Sequence, residues 1–207
     1  MKRIITVSRE HGSGGREIAR QVAEALGWKL VDHALIDEVA RIAKIAPEEV
    51  EAHDERVNPW LIRLAKGFWS GSADSYAGVP PEMVFDADTL ARLTRHVVLQ
   101  VAEAGECVIL GRGAACVLGL REDALHVFIY APIEDRLARL RARDADEAEA
   151  AKLLHEMDRA RAAYVKRYYG CDRTDRALYD LMVSSRVGED RAVRAILAAV
   201  GRTGTTV

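Results

Sequence analysis

Residues able to handle phosphate are concentrated in a few short stretches of this 207-residue chain. The first is Arg9-Glu10-His11-Gly12-Ser13-Gly14-Gly15-Arg16-Glu17. Glycines let backbone N–H groups crowd around an anion, and a helix starting just after them adds its partial positive charge. A nucleotide held there also needs a cation beside its β- and γ-phosphates, which Arg9, Arg16 or an arginine from elsewhere can supply. His11 stands inside the turn, able to touch a phosphate or to brace the loop. The second stretch is Gly111-Arg112-Gly113, where a guanidinium can grip a phosphate with two hydrogen bonds, cap the next helix or pair with an acid. Asp32, with His33 beside it, can accept a hydrogen bond from a base or sugar, or cap the helix that follows.

Two arginine groups complete the set. Arg136, Arg139, Arg141 and Arg143 contain no acid, and positions 136, 139 and 143 share one helix face. Arg159, Arg161, Lys166 and Arg167 are interleaved with Tyr164, Tyr168 and Tyr169. Arg136, Arg139, Arg159 and Arg167 are the preferred candidates for neutralising charge on a phosphoryl group in transfer. Paired with Asp144, Asp146, Glu147 and Glu149, the same groups would be two solvated helices.

These parts need a strand, a turn and a helix to position them, and the pattern supplies all three. Ile4 to Val7 is a short β-branched run entering the glycines, and Ile18, Val22, Ala25 and Leu26 follow at helical spacing, with Gly27 as a C-cap. Trp28 to Val31 reads as a second strand ending at Asp32. Helices are expected over Ala34 to Lys44, from Pro47, from Pro59, and from Asp86 or Asp88 to about Ala104, where Gly105 stops the last. Phe68 to Met83 reads as a long loop. Cys107 to Leu110 and His126 to Tyr130 are apolar runs of the kind found in parallel strands covered on both faces. A helix follows Pro132, and a long helix or a broken pair spans Asp144 to Tyr169. Leu181 to Val183 is the last strand, Asp190 to Val200 the closing helix, and Gly201 to Val207 a frayed tail. Strands alternating with helices mean a single α/β domain over residues 1–207 built on a parallel sheet of about five strands.

The glycine turn does not match G-x-x-x-x-G-K-[ST] in either register. With Gly14-Gly15 at the Gly-Lys position the lysine is missing, and Arg16 stands at the hydroxyl position. With Gly15-Arg16 there, Arg16 supplies the cation and Glu17 replaces the magnesium hydroxyl, which makes Glu17 the candidate metal ligand. The first position is Arg9 or Glu10, never glycine. Residue 17 also rules out G-x-G-x-x-G.

Composition narrows the partners. The chain is 49% hydrophobic and 30% charged, with 30 Lys and Arg against 32 Asp and Glu. A near-neutral total argues against a long nucleic acid as ligand. It conceals blocks, however: residues 32–58 hold eight acids and three bases, residues 158–176 six bases and three acids. That leaves room for a small phosphorylated ligand. Three cysteines without C-x-x-C argue against a disulfide framework or structural zinc. No apolar run approaches the roughly 20 residues of a membrane span, so a cytoplasmic location is expected.

Taken together, Ile4 to Glu10 and Gly12 to Ile18 resemble the opening of the cytidylate kinase-like proteins, a branch of the nucleoside monophosphate kinases. Leu26 to Asp32 is similar to that family's second strand, whose terminal Asp borders the acceptor nucleotide. Val108 to Gly113 is similar to its third-strand turn, whose arginine faces the acceptor phosphate. Val127 to Arg143 resembles its fourth strand and the helix leading to the lid. The resemblance implies a three-layer P-loop kinase fold with helices on both faces of the sheet and a helical lid near residues 136–176. It implies ATP and Mg²⁺, small nucleotides as partners, and transfer of the γ-phosphate to CMP or dCMP; a homo-oligomer is also open. Arg9 to Glu17 would hold the donor, with Arg16 catalytic, and Asp32 and Arg112 would hold the acceptor. Two departures bear on the acceptor: Asp37-Glu38 stands where the family has Tyr-Arg, and Gly113 where it has Asp. A nucleotide-binding regulatory module, or a kinase for a non-nucleotide metabolite, is the alternative.

Overall fold

The computed structural model describes residues 2–36, 39, 87–119, 121–142 and 147–201. The helices expected from Pro47 and Pro59, the loop at 68–84, Arg143 with the acids at 144 and 146, and the tail beyond 201 lie outside the described residues. The chain forms two compact units, Val31–Ala104 and the remainder, Met1–Leu30 with Gly105–Val207.

The larger unit carries the sheet. Its strands are β1 (Ile4–Arg9), β2 (Lys29–Val31), β3 (Cys107–Leu110), β4 (Ala124–Tyr130) and β5 (Leu181–Ser184). The order is β2-β3-β1-β4-β5, and β1 pairs with β3 and β4, and β4 with β5, all in parallel. Parallel neighbours need crossovers, which is why helices alternate with strands. The sheet order reverses beside β1, so the carboxyl ends of β1 and β3 flank the crevice where open α/β sheets bind ligands.

Two helices cover one face: α1 (Gly15–Leu26) follows β1, and the last helix, at Glu189–Ala199, closes the chain against it. Ile18, Val22 and Leu26 of α1 meet Ile5, Val7, Val108, Val127 and Ile129 of the sheet and Val193 and Ile196 of the closing helix in one buried core. The helical spacing on α1 and the alternation on β1 are thus two sides of the same apolar layer. Gly27 ends α1 in the left-handed conformation, φ 67°. On the opposite face Thr6 meets His126, whose two ring nitrogens bond Thr6 Oγ1 and the Gly119 carbonyl, each at 2.7 Å. That histidine is a satisfied core residue.

The smaller unit is described by Asp32, a helical start at 33–36 and α2 (Ala87–Ala104), whose Leu93, Val97, Val98 and Val101 are buried as the spacing predicts. The other helices belong to the larger unit: α3 (Ala114–Leu118), α4 (Ile133–Arg141), α5 (Glu147–Tyr169) and the closing helix, α6. The span expected as one long helix or a broken pair from residue 144 is a single helix of 23 residues from Glu147. Helix α3, five residues long, has no counterpart in the sequence reading.

Candidate active site

Between β1 and α1 the chain turns on glycine. Gly12 and Gly14 both adopt φ 75°, a conformation that costs other residues steric strain. The Ser13 hydroxyl and N–H both donate to the Glu10 carbonyl, which closes the turn. No side chain caps α1 at Gly14, so the first N–H groups of the helix face the turn. Gly12 has a second reason to be glycine: a Cβ there would lie 3.1 Å from the Arg136 carbonyl and 3.2 Å from Leu154 of α5. Helices α4 and α5 press directly on the loop.

Arg136 is the clamp. Its Nε donates to the His11 carbonyl at 2.7 Å, one terminal nitrogen bonds Asp158, and the other lies 3.4 Å from Glu10. Glu10 in turn accepts the Ala131 N–H at 3.1 Å. Arg136 is buried and committed to holding the turn in shape. Arg139 reaches the Gly12 and Ser185 carbonyls at 3.4 Å each, near Gly14.

Asp158, on α5, is the hub of this network. It accepts the His11 N–H at 2.9 Å, bonds Arg136, and lies 3.7 Å from Arg161 and 3.6 Å from Arg173. Arg161 and Arg173 also donate to the Arg9 carbonyl, at 3.2 and 2.7 Å. Arg173 is buried over the Phe128 ring, and the Tyr179 hydroxyl donates to its carbonyl. Three arginines therefore share one carboxylate, with Glu10 as a distant second acid.

The imbalance shows in the titration of the neighbours. Burial first, then the guanidinium groups of Arg161, Arg112, Arg173 and Arg16, draw the Arg9 pKa down to about 9. An arginine keeps its proton at neutral pH, so the shift expresses a charge held in a buried place and, second, among like charges, which a bound anion would offset. Burial and the Arg161 charge likewise lower His11, which is then neutral. Its Nδ1 faces an Arg161 donor at 3.5 Å, which puts the proton on Nε2, and that buried nitrogen has no partner among the described residues. A spare N–H donor, an uncapped helix start and excess guanidinium charge converge on one turn.

Arg112 sits where the third strand ends. Gly111, Arg112 and Gly113 have φ of 75°, 59° and 66°, and such a conformation in a residue with a side chain is costly. A Cβ on Gly113 would fall 2.3 Å from the Tyr169 ring, so the end of α5 lies on this turn too. Tyr169 shares a hydroxyl contact of 3.2 Å with Tyr164, whose ring meets that of Tyr168 at a tilt of 56°, centroids 5.0 Å apart.

The other candidates fall elsewhere. Arg16 opens α1 on its exposed side. Arg159 and Arg167 point away on the exposed face of α5, Arg167 lying over the Tyr168 ring. Asp32 accepts the Leu35 N–H at 3.3 Å, as a helix-capping residue does. Asp158 and Arg173 were not singled out from the sequence, and Arg161, named within its group, was passed over for Arg159 and Arg167. A signal existed: Leu154, Asp158, Arg161, Val165 and Tyr169 recur at intervals of four and three, so a polar pair interrupts an otherwise apolar stripe.

Glu17, the candidate magnesium ligand, is engaged by its helix neighbours. Glu17 gives its carboxylate to Arg20 and Gln21, and those hydrogen bonds pull its pKa down to about 2. No group of three His, Cys, Asp or Glu side chains that could hold a metal occurs among the described residues. Glu17→Gln is accordingly expected to change turnover by no more than about twofold, as for an ordinary surface substitution, with an unaltered dependence on magnesium concentration. A steep rise in the magnesium requirement of the variant would restore Glu17 as a ligand.

Comparison with known proteins agrees with this geometry. The model of the cytidylate kinase-like family matches residues 4–187. A cytidylate kinase of Methanopyrus kandleri is 28% identical, with 95% of this chain and 92% of that protein covered. One from Pyrobaculum aerophilum is 28% identical over 94% and 90%. Among solved structures, an uncharacterized protein from Eubacterium ventriosum superposes with a TM-score of 0.69 at 25% identity, covering 97% of this chain and 99% of that one. Shikimate kinase from Bacteroides thetaiotaomicron superposes at 0.50 and 14% identity, covering 96% and 98%, a likeness of fold. No helix among the described residues is long and apolar enough to cross a membrane. The parallel five-stranded sheet, the glycine turn after its first strand and the family match over most of the length lead to one statement: the chain belongs to the cytidylate kinase-like family and is a kinase of the P-loop fold.

Proposed function

We propose that this kinase moves the γ-phosphoryl group of ATP to a nucleoside monophosphate, with CMP or dCMP as the preferred acceptor. The observation that carries this reading is the group of arginines 9, 112, 161 and 173 gathered at one glycine turn, where Asp158 is the carboxylate that Arg161 and Arg173 share among the described residues. Such a group suits a ligand with several phosphate charges. The choice of a cytosine nucleotide rests on the relatives' names and is the finer part of the proposal.

In this reading the backbone from Gly12 to Glu17 and His11 Nε2–H receive the donor phosphates, and Arg112 grips the acceptor phosphate. An oxygen of the acceptor phosphate attacks the γ-phosphorus. A new P–O bond forms as the bond to the β,γ-bridging oxygen breaks, and ADP leaves with that electron pair. Catalysis consists of alignment and charge neutralisation, so no general base is needed. Arg161, held by Asp158, and Arg139 are placed to balance the oxygens during transfer, and the segment from 136 to 176 acts as the lid that excludes water.

A panel of nucleoside monophosphates with ATP and magnesium, read by ADP release, tests the proposal. Turnover highest with CMP or dCMP is expected; no turnover above background with any of them would overturn it. Arg112→Ala should raise the acceptor KM by about tenfold or more, the worth of a charge-assisted hydrogen bond, while ATP affinity stays nearly constant. Loss of ATP affinity instead would place Arg112 on the donor.

A further inference from the structure

In one register the glycine turn departs from the P-loop pattern at three positions, with Arg9 where the first glycine belongs, Gly15 where the lysine belongs and Arg16 at the hydroxyl position. Arg9 and Gly15 touch. A Cβ on Gly15 would lie 2.6 Å from Arg9 Cβ and 3.1 Å from Arg9 Cγ. The Arg9 stem therefore fills the space that any side chain at residue 15 would need to leave the backbone. Farther out, a Cβ on Gly111 would fall 1.9 Å from an Arg9 terminal nitrogen. The side chain thus runs from the turn between β1 and α1 to the turn after β3, and both places are kept bare by glycine for it.

From this we infer that Arg9 is the cation of the P-loop, supplied from the strand end instead of the helix start, and that its guanidinium spans the gap between donor and acceptor phosphates. The proposal rests on the kinase reading above and names the residue that does the work of the missing lysine. Two further observations support it. No carboxylate among the described residues forms an ion pair with Arg9, although the group is mostly buried. Its own carbonyl is held by Arg161 and Arg173, which fixes the backbone from which the side chain starts. Arg16, the cation of the other register, lies on the exposed side of α1. During transfer Arg9 gives up no proton; it stays paired with the γ-oxygens while the P–O bond to the acceptor forms and the bond to the β,γ-bridging oxygen breaks. A guanidinium offers two parallel donors, so it can hold an oxygen on each side of the moving phosphorus, which a lysine ammonium cannot do in one plane.

The experiment is an exchange of the two positions. Arg9→Met should lower kcat by roughly 10²-fold, the range for removing a donor to transition-state charge, with the unfolding midpoint retained. Gly15→Lys alone should be at least as impaired, because its Cβ overlaps Arg9. Arg9→Gly combined with Gly15→Lys puts glycine and lysine at their places in the pattern, with Arg16 left at the hydroxyl position, and should regain about tenfold over Arg9→Met. A purely structural Arg9 has no reason to be replaced by a lysine from a different position. The inference is overturned if Arg9→Met keeps kcat within about threefold of wild type, a difference under 1 kcal/mol. It is also overturned if a folded double variant, by circular dichroism, stays at the Arg9→Met level; if the double variant does not fold, the Arg9→Met result decides alone. Should the wild type transfer phosphate to no nucleoside monophosphate, the kinase reading fails separately, and calorimetry with ATP then decides. A roughly tenfold weaker ATP affinity in Arg9→Met would sustain Arg9 as the phosphate cation, and an unchanged affinity would overturn it.

Discussion

Asp158→Ala is expected to be the most damaging single change in this protein outside the hydrophobic core. The carboxylate holds the His11 N–H and lies among Arg136, Arg161 and Arg173, and its removal leaves three guanidinium groups facing one another. Removing one partner of a buried ion pair costs about 3–5 kcal/mol, because the other charge stays desolvated. Asp158 is 24% exposed, so water screens part of the repulsion and the loss should sit at the lower end, about 3 kcal/mol. Urea denaturation measures it. Added sulfate or phosphate should return part of the lost stability, since an anion can take the place of the carboxylate among the arginines. Asp158→Asn keeps an acceptor for His11 but no charge, and should fall between wild type and alanine. An unfolding midpoint that Asp158→Ala leaves unchanged would show that these arginines are held apart by something other than their shared acid.

Arg161→Met should leave the fold nearly intact and lower kcat by about 10² to 10³-fold, as removal of a preorganised donor to transition-state charge does. Arg161 is half-buried, bonded to the Arg9 carbonyl and fixed by Asp158, and Arg173 holds the same carbonyl, so the turn keeps one support when Arg161 is lost. Arg159→Met and Arg167→Met serve as the comparison. Both side chains lie on the exposed face of α5, and neither change should alter kcat by more than about twofold. Equal losses in all three variants would mean that the helix turns its other face to the substrates. Steady-state kinetics with both substrates saturating separates these outcomes.

The comparison of Arg159 with Arg161 marks how far the sequence could be read. Strand β1, helix α1 and its Gly27 cap, the buried β3 and β4, and α2 were legible, because each has a local cause: β-branched runs, apolar residues at three and four, or a glycine stop. The order of strands was not, since pairing is decided between segments far apart in the chain. The glycine turn and Arg112 were visible as site parts because they follow strands directly. Within the arginine-rich segment, charge counting favoured Arg159 and Arg167 over Arg161 and treated Asp158 as a minority charge. Only the phase of α5, set by Leu154 and Val165 going inward, distinguishes Arg161 from its neighbour. Arg173 lies past the end of that helix, beyond Gly170, where no periodicity carries information. The missing lysine was legible as a gap. That Arg9 also reaches the turn at Gly111 depends on β1 and β3 being neighbours, which is a property of the sheet.

Helix α5 runs without interruption from Glu147 to Tyr169. Asp158 and Arg161 in its middle meet the glycine turn, and Tyr169 at its end lies on Gly113. The two contacts are eleven residues apart, about 16 Å along a rod with 1.5 Å per residue. A rod has no hinge between them. Any tilt that withdraws Arg161 from the first turn also moves Tyr169 across the second, so the two halves of the crevice share one mechanical lever. On the proposed transfer, opening to release one product would therefore loosen the hold on the other.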